Sequence, residues 1–561
     1  METVLTNRGI ELEDIQHYLA TSAADILPSK DLLNMRDGAK MLVKHIQNED
    51  DIFIQVDCDA DGYCSSAILI NYLYELFPHY TTNHVTYRLH TGKEHGIILE
   101  TIPESASLII IPDAGSNQYL EHKSLKERGK DVLVIDHHEA EEESAYACVI
   151  NNQFGDYPTK SLCGGAMVQK FCTYIDELLG TDNAKRYIDL AALALISDMM
   201  DIRDFETIEY IRQGLASINN PFFQTMVAKQ EYSLRDGLSP IGIAFYITPY
   251  INATIRVGSQ EEKQIMFEAM LNMFEDDVIP STKRGCKGQF ETRVEQACRN
   301  CMNIKKHQGQ ERDKEAERIE SIIEAENLLD NKILAVRLPE GDVNKNLTGL
   351  IANELMSKYQ RPTLLLSSVG DDWAGSARNF DKSEFKLFKD FCADYPYINY
   401  AQGHQGAFGF SIPKQYFDDF MEYANRTLAN YDFTPSYKVD FIFDSGNFNG
   451  KDILQIAELK GLWGQNVPEA LVAIENIKIT KDNVTLMSPD KSPTIKIALS
   501  NGTTLIKFKA SVEEYEQLTS STGCYIMTVI GTCNSNTWNG ITTPQILIEE
   551  YEITGELKYL F

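Results

Sequence analysis

The sequence predicts an α/β protein of several domains: a parallel-sheet domain, a second α/β domain reached through a long helical connector, and a C-terminal β-barrel. Three observations predict it. Short apolar runs alternate with amphipathic helical segments over 51–197 and again over 332–430, the pattern of parallel strands covered by helices. Between these regions, 259–330 reads as charged helix with no strand signal. Beyond about 436 the helices fade and short β segments separated by turn residues take over. The 561 residues leave room for three or four cores at roughly 150 residues per domain.

The elements follow in order. Apolar positions recur at helical spacing over Ile10–Leu19 and Lys30–His45, so 1–50 is expected to be a helical cap. Strands are expected at DIFIQV (51–56), HVTYRL (84–89), SLIII (107–111) and DVLVI (131–135), with helices near 65–77, 165–179 and 185–197, giving a first α/β domain over 51–258. The connector occupies 259–330. A second domain over 331–435 is expected from KILAVRL (332–338), PTLLLSS (362–368) and INYAQGHQGAFGFSI (398–412), with helices at 347–359, 383–393 and 413–430. Over 436–561 the segments ALVAIENIKI, TIKIAL, TLIKFKA, YIMTVIG and QILIEEYEI suggest a small barrel.

Composition narrows the function. Lys and Arg total 52 against 82 Asp and Glu, a formal charge of −30. The molecule as a whole repels polyanions, so a phosphate site must be a local basic groove or a metal centre. The start, METVLTNRGIELED, has no basic, apolar leader pattern, and no run of about 18 apolar residues occurs. A soluble, cytoplasmic protein with no membrane partner is expected. Eleven cysteines at irregular spacings read as reduced thiols.

Acidic residues stand where the first domain's strands end. QVDCDADGYCSS leaves the first strand with Asp57, Asp59 and Asp61; IIIPDAGS leaves a core strand with Asp113; VLVIDHHEAE leaves another with Asp136, His137 and His138. Asp198 closes the apolar helix AALALIS. Ligands bind at the carboxyl ends of parallel strands, and carboxylates gathered there repel one another without a cation. A lone Asp after a strand is usually a cap or turn residue, but several in one domain are not explained that way. Oxygen ligands with imidazole suit Mn²⁺ or Mg²⁺, and a shared carboxylate can hold two ions roughly 3.5–4 Å apart.

DCDADG, PDAG, DHH and LISDMMD resemble, in that order, the four acidic motifs of the DHH phosphoesterase superfamily. TPYINATIRVG (248–258) resembles a motif of the RecJ single-strand DNA exonucleases. GLIANELMSKYQRPTLLLS, GSARNF and GHQGAFGFSI resemble their DHHA1-type domain, and GLWGQNVPEALVAIENIKI and NTWNGITTPQILIEEYEI their oligonucleotide-binding (OB) fold. The resemblance covers about 45–555.

The resemblance implies that Asp57, Asp59, Asp61, Asp113, His137 and Asp198 hold two Mn²⁺ or Mg²⁺ ions, with Asp113 bridging and Asp136 and His138 in support. It implies Arg256, Arg378 and His404 as partners of the phosphoryl oxygens, Asn252 and Ser376 as DNA contacts, and an active site in a cleft between the two α/β domains. The sequence departs from the family at Gln402, where a glycine is usual, and at Phe408, where a small residue is usual and a narrower cleft is expected. The family's basic residue before Gly-Tyr-Gly has no clean match in YRLHTGKEHGI; Arg88, His90 and Lys93 are the candidates.

Elsewhere, Lys283, Arg284, Lys287, Lys305 and Lys306 concentrate positive charge in the connector and are expected to track a DNA backbone. From Glu311 onward acidic residues interleave, and a solvated helix face is expected. Cys286, Cys298, Cys301 and His307 lack a second CxxC and read as reduced thiols rather than a zinc site. Trp538 and Trp463 are candidates for stacking on bases, although an aromatic in a small barrel is more often core.

The reading is a metal-dependent exonuclease degrading single-stranded DNA from the 5′ end to mononucleotides, in repair, recombination or replication. It is expected to act as a monomer, with a single-strand-binding protein or helicase as the protein partner to consider. Two rivals are a DHH phosphodiesterase acting on short oligonucleotides or cyclic dinucleotides, and a catalytically silent DHH scaffold in a replication complex. The barrel argues against the first and the retained acidic motifs against the second.

Overall fold

A computed structural model describes the chain apart from Lys93, Asp236, residues 558–561 and the side chain of Trp538. Two compact units emerge: Met1–Ile255 with Ser259–Arg299 and Val439–Phe561, and Arg256–Gly258 with Asn300–Lys438.

The first unit is organised by a five-stranded, all-parallel sheet of β1 (Ile52–Val56), β2 (Val85–Leu89), β3 (Leu108–Pro112), β4 (Asp131–Asp136) and β5 (Cys148–Asn151). The order is β2-β1-β3-β4-β5. β1 and β3 are buried along their whole length, as apolar runs covered on both faces must be. The chain leaves β1 to one side for β2 and returns on the other as β3. That reversal creates a crevice at the carboxyl ends of β1 and β3, where Asp57 and Asp113 stand. The helices Ala60–Leu76, Gly164–Leu179 and Ile188–Ser197 pack together behind it. β5, CVIN, was not among the expected strands.

The 1–50 region is helical at Glu2–Asn7, Ile15–Leu19 and Met35–Gln47. Its Leu27 backbone binds both members of a fully buried ion pair of the first domain, Lys170 Nζ to Glu206 Oε1 at 2.5 Å. Lys170 also donates to Leu27 O at 2.7 Å, and Leu27 N donates to Glu206 Oε1 at 3.1 Å.

The connector differs from expectation. It opens on the helix Gln260–Ala269, but a small antiparallel hairpin of β6 (Val278–Pro280) and β7 (Phe290–Thr292) stands between this and the 33-residue helix Arg293–Ala325. Strands of three residues are too short to show a period in sequence.

The second unit carries β8 (Leu334–Leu338), β9 (Thr363–Val369), β10 (Asp372–Arg378), β11 (Tyr400–His404) and β12 (Ala407–Pro413), ordered β11-β12-β10-β9-β8. Only β8 and β9 pair in parallel. Phe408 does not point into a cleft: it is buried in this unit's core, edge-to-face with Phe388 at 5.3 Å.

The C-terminal region returns to the first unit as one sheet of seven strands: β13 (Phe441–Asp444), β14 (Leu471–Ile479), β15 (Val484–Met487), β16 (Thr494–Ala498), β17 (Thr504–Lys507), β18 (Cys524–Trp538) and β19 (Ile541–Leu557). Their order is β13-β14-β18-β19-β17-β16-β15. Arg8 anchors the region with a bidentate pair to Asp440, at 2.9 and 2.8 Å, the geometry that makes Arg–carboxylate pairs specific. No helix among the described residues is long and apolar enough to cross a membrane.

Candidate metal centre

The run after β1 turns directly into the helix Ala60–Leu76. Asp59 is its N-cap, with a side-chain oxygen accepting from Gly62 N at 2.8 Å, which satisfies one of the donors a helix start leaves unpaired. Asp61 is buried, and its two oxygens accept from Gly164 N and Gly165 N, both at 2.7 Å. These two glycines open the helix Gly164–Leu179. A Cβ on Gly164 would stand 2.5 Å from Asp113 Cβ and Oδ1, so only glycine lets the helix start come this close to the carboxylates. Sequence reasoning missed both glycines; their only signal was a glycine pair at a helix start.

Asp113 sits beyond β3 with φ of +68°, a left-handed conformation rare for a residue with a Cβ and concentrated at functional sites. It is 1% exposed, and neither carboxylate oxygen has a hydrogen-bond partner. His137 Nε2 is also buried without one. That nitrogen lies 3.1 Å from Asp113 Oδ1, 3.5 Å from Asp198 Oδ2 and 3.6 Å from Asp61 Oδ2. Asp136 faces inward on other duties: its oxygens accept from Ser116 N, His137 N and His138 Nδ1, at 3.0, 2.7 and 2.8 Å. Asp198 caps the helix Ile188–Ser197.

The electrostatics follow from gathering carboxylates out of water. Burial first, then the Asp61 charge, pushes Asp59 up to about 6 and Asp198 up to about 8. The same two causes raise Asp113 well above the carboxylate range. Burial lowers His137. Asp136 goes the other way: although burial opposes ionisation, the hydrogen bond and positive charge of His138 hold it below the usual range, and that bond lifts His138 to about 9.

This donor set suits a hard divalent cation. Carboxylate oxygens and one imidazole are the ligands that Mn²⁺ and Mg²⁺ take, and a cation would satisfy the buried atoms of Asp113 and His137 that no protein group serves. Ligand atoms of Asp61, His137 and Asp198 lie within 4.8 Å of one another, as do those of Asp57, Asp59 and Asp113, and those of Asp113, Asp136, His137 and His138. Asp113 belongs to two of the three groups.

Residues 51–195 match the family described as "DHH family, N-terminal domain". YorK of Bacillus subtilis (strain 168), an SPbeta prophage-derived protein, is 36% identical over 99% of this chain and 96% of its own length. The chain belongs to the DHH family, in its RecJ-like group. RecJ of Bacillus subtilis (strain 168), named as a single-stranded-DNA-specific exonuclease, is 24% identical over 98% of this DHH protein and 68% of its own length. The crystal structure of RecJ in complex with Mn²⁺ from Thermus thermophilus shares the fold, with a TM-score of 0.71 at 18% identity over 99% of this chain and 76% of that one.

The remaining expected residues of this DHH protein fall as follows. In the second unit, strand register sets Arg378 opposite Ala407 and Ala407 opposite His404, so the two basic groups flank β12. Ser376 shares a 3.0 Å hydroxyl hydrogen bond with Thr348. Burial, then the Arg256 charge, lowers the pKa of the half-buried Arg378. Arg256 and His404 are exposed and Asn252 is half-buried. Lys283, Arg284 and Lys287 are exposed in the β6–β7 hairpin loop, and Lys306 is exposed on the long helix, whereas Lys305 is half-buried and donates to Gln308 Oε1 at 3.0 Å.

Trp463 is 2% exposed and is a core residue; the Trp538 side chain lies outside the described residues. Arg88 is engaged with Glu94 at 2.8 Å and His90 is buried, donating through Nε2 to Gly96 O at 2.7 Å; Lys93 lies outside the described residues. All eleven cysteines are free of disulfides, and Cys298 and Cys301 are buried. The residue that sequence reasoning passed over entirely is His95, whose Nδ1 lies 2.7 Å from Asp57 Oδ2.

Proposed function

We propose that this chain is a metal-dependent exonuclease that hydrolyses phosphodiester bonds of single-stranded DNA, 5′→3′, releasing mononucleotides in DNA repair, recombination or replication. The observation that carries the reading is the strand-end cluster of buried Asp61, Asp113 and His137 with half-buried Asp198 and exposed Asp59 at its rim, Asp113 and His137 being left without protein partners. Asp113, at the overlap of two ligand groups, is the proposed bridge between two Mn²⁺ or Mg²⁺ ions. When bound, two such ions supply Lewis acidity and bring a water's pKa near neutrality.

The chain's own residues do the rest. Asp136 locks the His138 ring through Nδ1 and leaves it half-exposed beside the cluster, where it can donate to a phosphoryl oxygen. Arg256, Arg378 and His404 are the proposed cationic partners for charge that grows on phosphorus oxygens, and Asn252 and Ser376 the polar DNA contacts. The C-terminal sheet is the proposed OB-like strand-binding surface. Support for single-stranded DNA as substrate comes from the name that the RecJ relative carries.

The test is a time course on single strands labelled at either end, with Mn²⁺. Early release of the 5′ label as a mononucleotide is expected, with blunt duplex a poor substrate. Early 3′ release overturns the polarity, and cleavage restricted to dinucleotides returns the protein to the short-oligonucleotide class.

A further inference from the structure

We infer that His95 is a positioning residue of the metal centre, holding the Asp57 carboxylate in a fixed orientation through its Nδ1. The inference rests on the reading that the cluster binds divalent cations. Asp57 directly follows β1, is 2% exposed, and shares a ligand group with Asp59 and Asp113. Its two oxygens take N–H groups from consecutive residues of one loop: Oδ2 from His95 Nδ1 at 2.7 Å, Oδ1 from Gly96 N at 3.2 Å. The neighbouring carboxylates are oriented by backbone donors, Asp59 by Gly62 and Asp61 by Gly164 and Gly165. Asp57 alone among these three relies on a side chain.

The loop that presents His95 is itself pinned. His90 donates to Gly96 O at 2.7 Å, Gln118 Oε1 accepts from Ile97 N at 2.6 Å, and Gln55 bonds Ile98 through both its oxygen and its nitrogen, each at 3.1 Å. Gly96 has φ of +64°, and a Cβ there would stand 2.1 Å from Gln118 Oε1. His95 is therefore held in place although its side chain is 55% exposed.

Its ring lies edge-to-face with His138, 5.7 Å between centroids, and His138 grips Asp136 through Nδ1 in the same way. Two adjacent imidazoles thus each brace one buried strand-end carboxylate. The carboxylate at Oδ2 fixes the proton on His95 Nδ1. Partners that orient metal-site carboxylates and histidines typically govern affinity without touching the ion.

The experiment titrates the full-length protein with Mn²⁺, following free Mn²⁺ by electron paramagnetic resonance without DNA, and then measures kcat and KM on a single strand. His95→Ala should weaken Mn²⁺ binding by about 10–100-fold, while His95→Asn, whose amide N–H stands where Nδ1 stood, should stay within about threefold of wild type. At limiting Mn²⁺ the Ala variant should lose kcat with KM for DNA unchanged, and excess Mn²⁺ should restore it. Should the Ala variant fail to fold, His95→Gln, whose N–H points away from Asp57, carries the same expectation. Wild-type affinity in the Ala and Gln variants, or an Asn variant as weak as Ala, overturns the positioning role alone. A wild-type protein that binds no Mn²⁺ overturns both this role and the metal-centre reading.

Discussion

His137 Nε2 stands 3.1 Å from Asp113 Oδ1, both atoms buried and neither hydrogen-bonded. Leaving such groups unsatisfied costs about 1–3 kcal/mol each, more when charged, and burial keeps His137 toward its neutral form, so a proton on the imidazole is a poor remedy. A cation shared between the two atoms is a better one. The positive φ of Asp113 and the glycine at 164 show the backbone arranged around this meeting point.

Asp113→Asn should therefore separate function from stability. Nuclease activity in Mn²⁺ should fall below about a tenth of wild type, because a bridging ligand serves both ions. In the metal-free protein the same change removes a carboxyl group whose ionisation burial and the Asp61 charge oppose, so Tm should rise above that of wild type as pH increases. Calorimetry of chelator-treated samples checks the second half; an unchanged or lower Tm would contradict it.

The pH dependence has a defined sign. Asp59 and Asp198 are raised to about 6 and about 8 from an ordinary 3.8, so in the metal-free fold their contribution is fully present below the ordinary value and is lost as pH rises through those two values. Metal-free wild type should thus lose stability relative to Asp198→Asn between about pH 4 and 8. Mn²⁺ displaces the same protons, so apparent affinity should climb over that window. Melting both proteins across the range, and titrating Mn²⁺ in buffers of different ionisation heat, reads the two effects; a pH-independent difference in Tm would remove the carboxylate argument.

The exposed cations Lys283, Arg284, Lys287 and Lys306 test the DNA-tracking expectation. Reversal to Glu should weaken binding to a long single strand and flatten the log K against log salt slope by about 0.7 for each phosphate no longer neutralised. Cleavage of a dinucleotide should barely change. An unaltered slope would make these side chains a solvated surface.

Lys170→Met should destabilise the protein by about 3–5 kcal/mol, because it leaves the Glu206 charge buried and unpaired. Adding Glu206→Gln should recover much of the loss. Urea melts of the single and double variants measure it, and additive losses would show that the pair is not coupled.

The carboxylate centre was legible because its chemistry lies at places that sequence marks directly: Asp57, Asp113 and Asp136 follow apolar runs that had to be strands. What was missed depends on tertiary neighbours. Gly164 and Gly165 read as plain glycines until their N–H groups meet Asp61, some 103 and 104 positions earlier in the chain. His95 carries no pattern, since its partner is fixed by how the loop folds over β1. Phe408, judged by resemblance, is a core residue because burial of large aromatics outweighs local pattern. The hairpin β6–β7 and strand β5 are too short for periodicity to show.

The central claim is that two cations share Asp113. Crystals grown with Mn²⁺ and measured above and below its absorption edge test this without reference to activity. Two anomalous peaks about 3.5–4 Å apart, both within coordination distance of the Asp113 carboxylate, are the predicted result. One peak, or two that do not share Asp113, would contradict it.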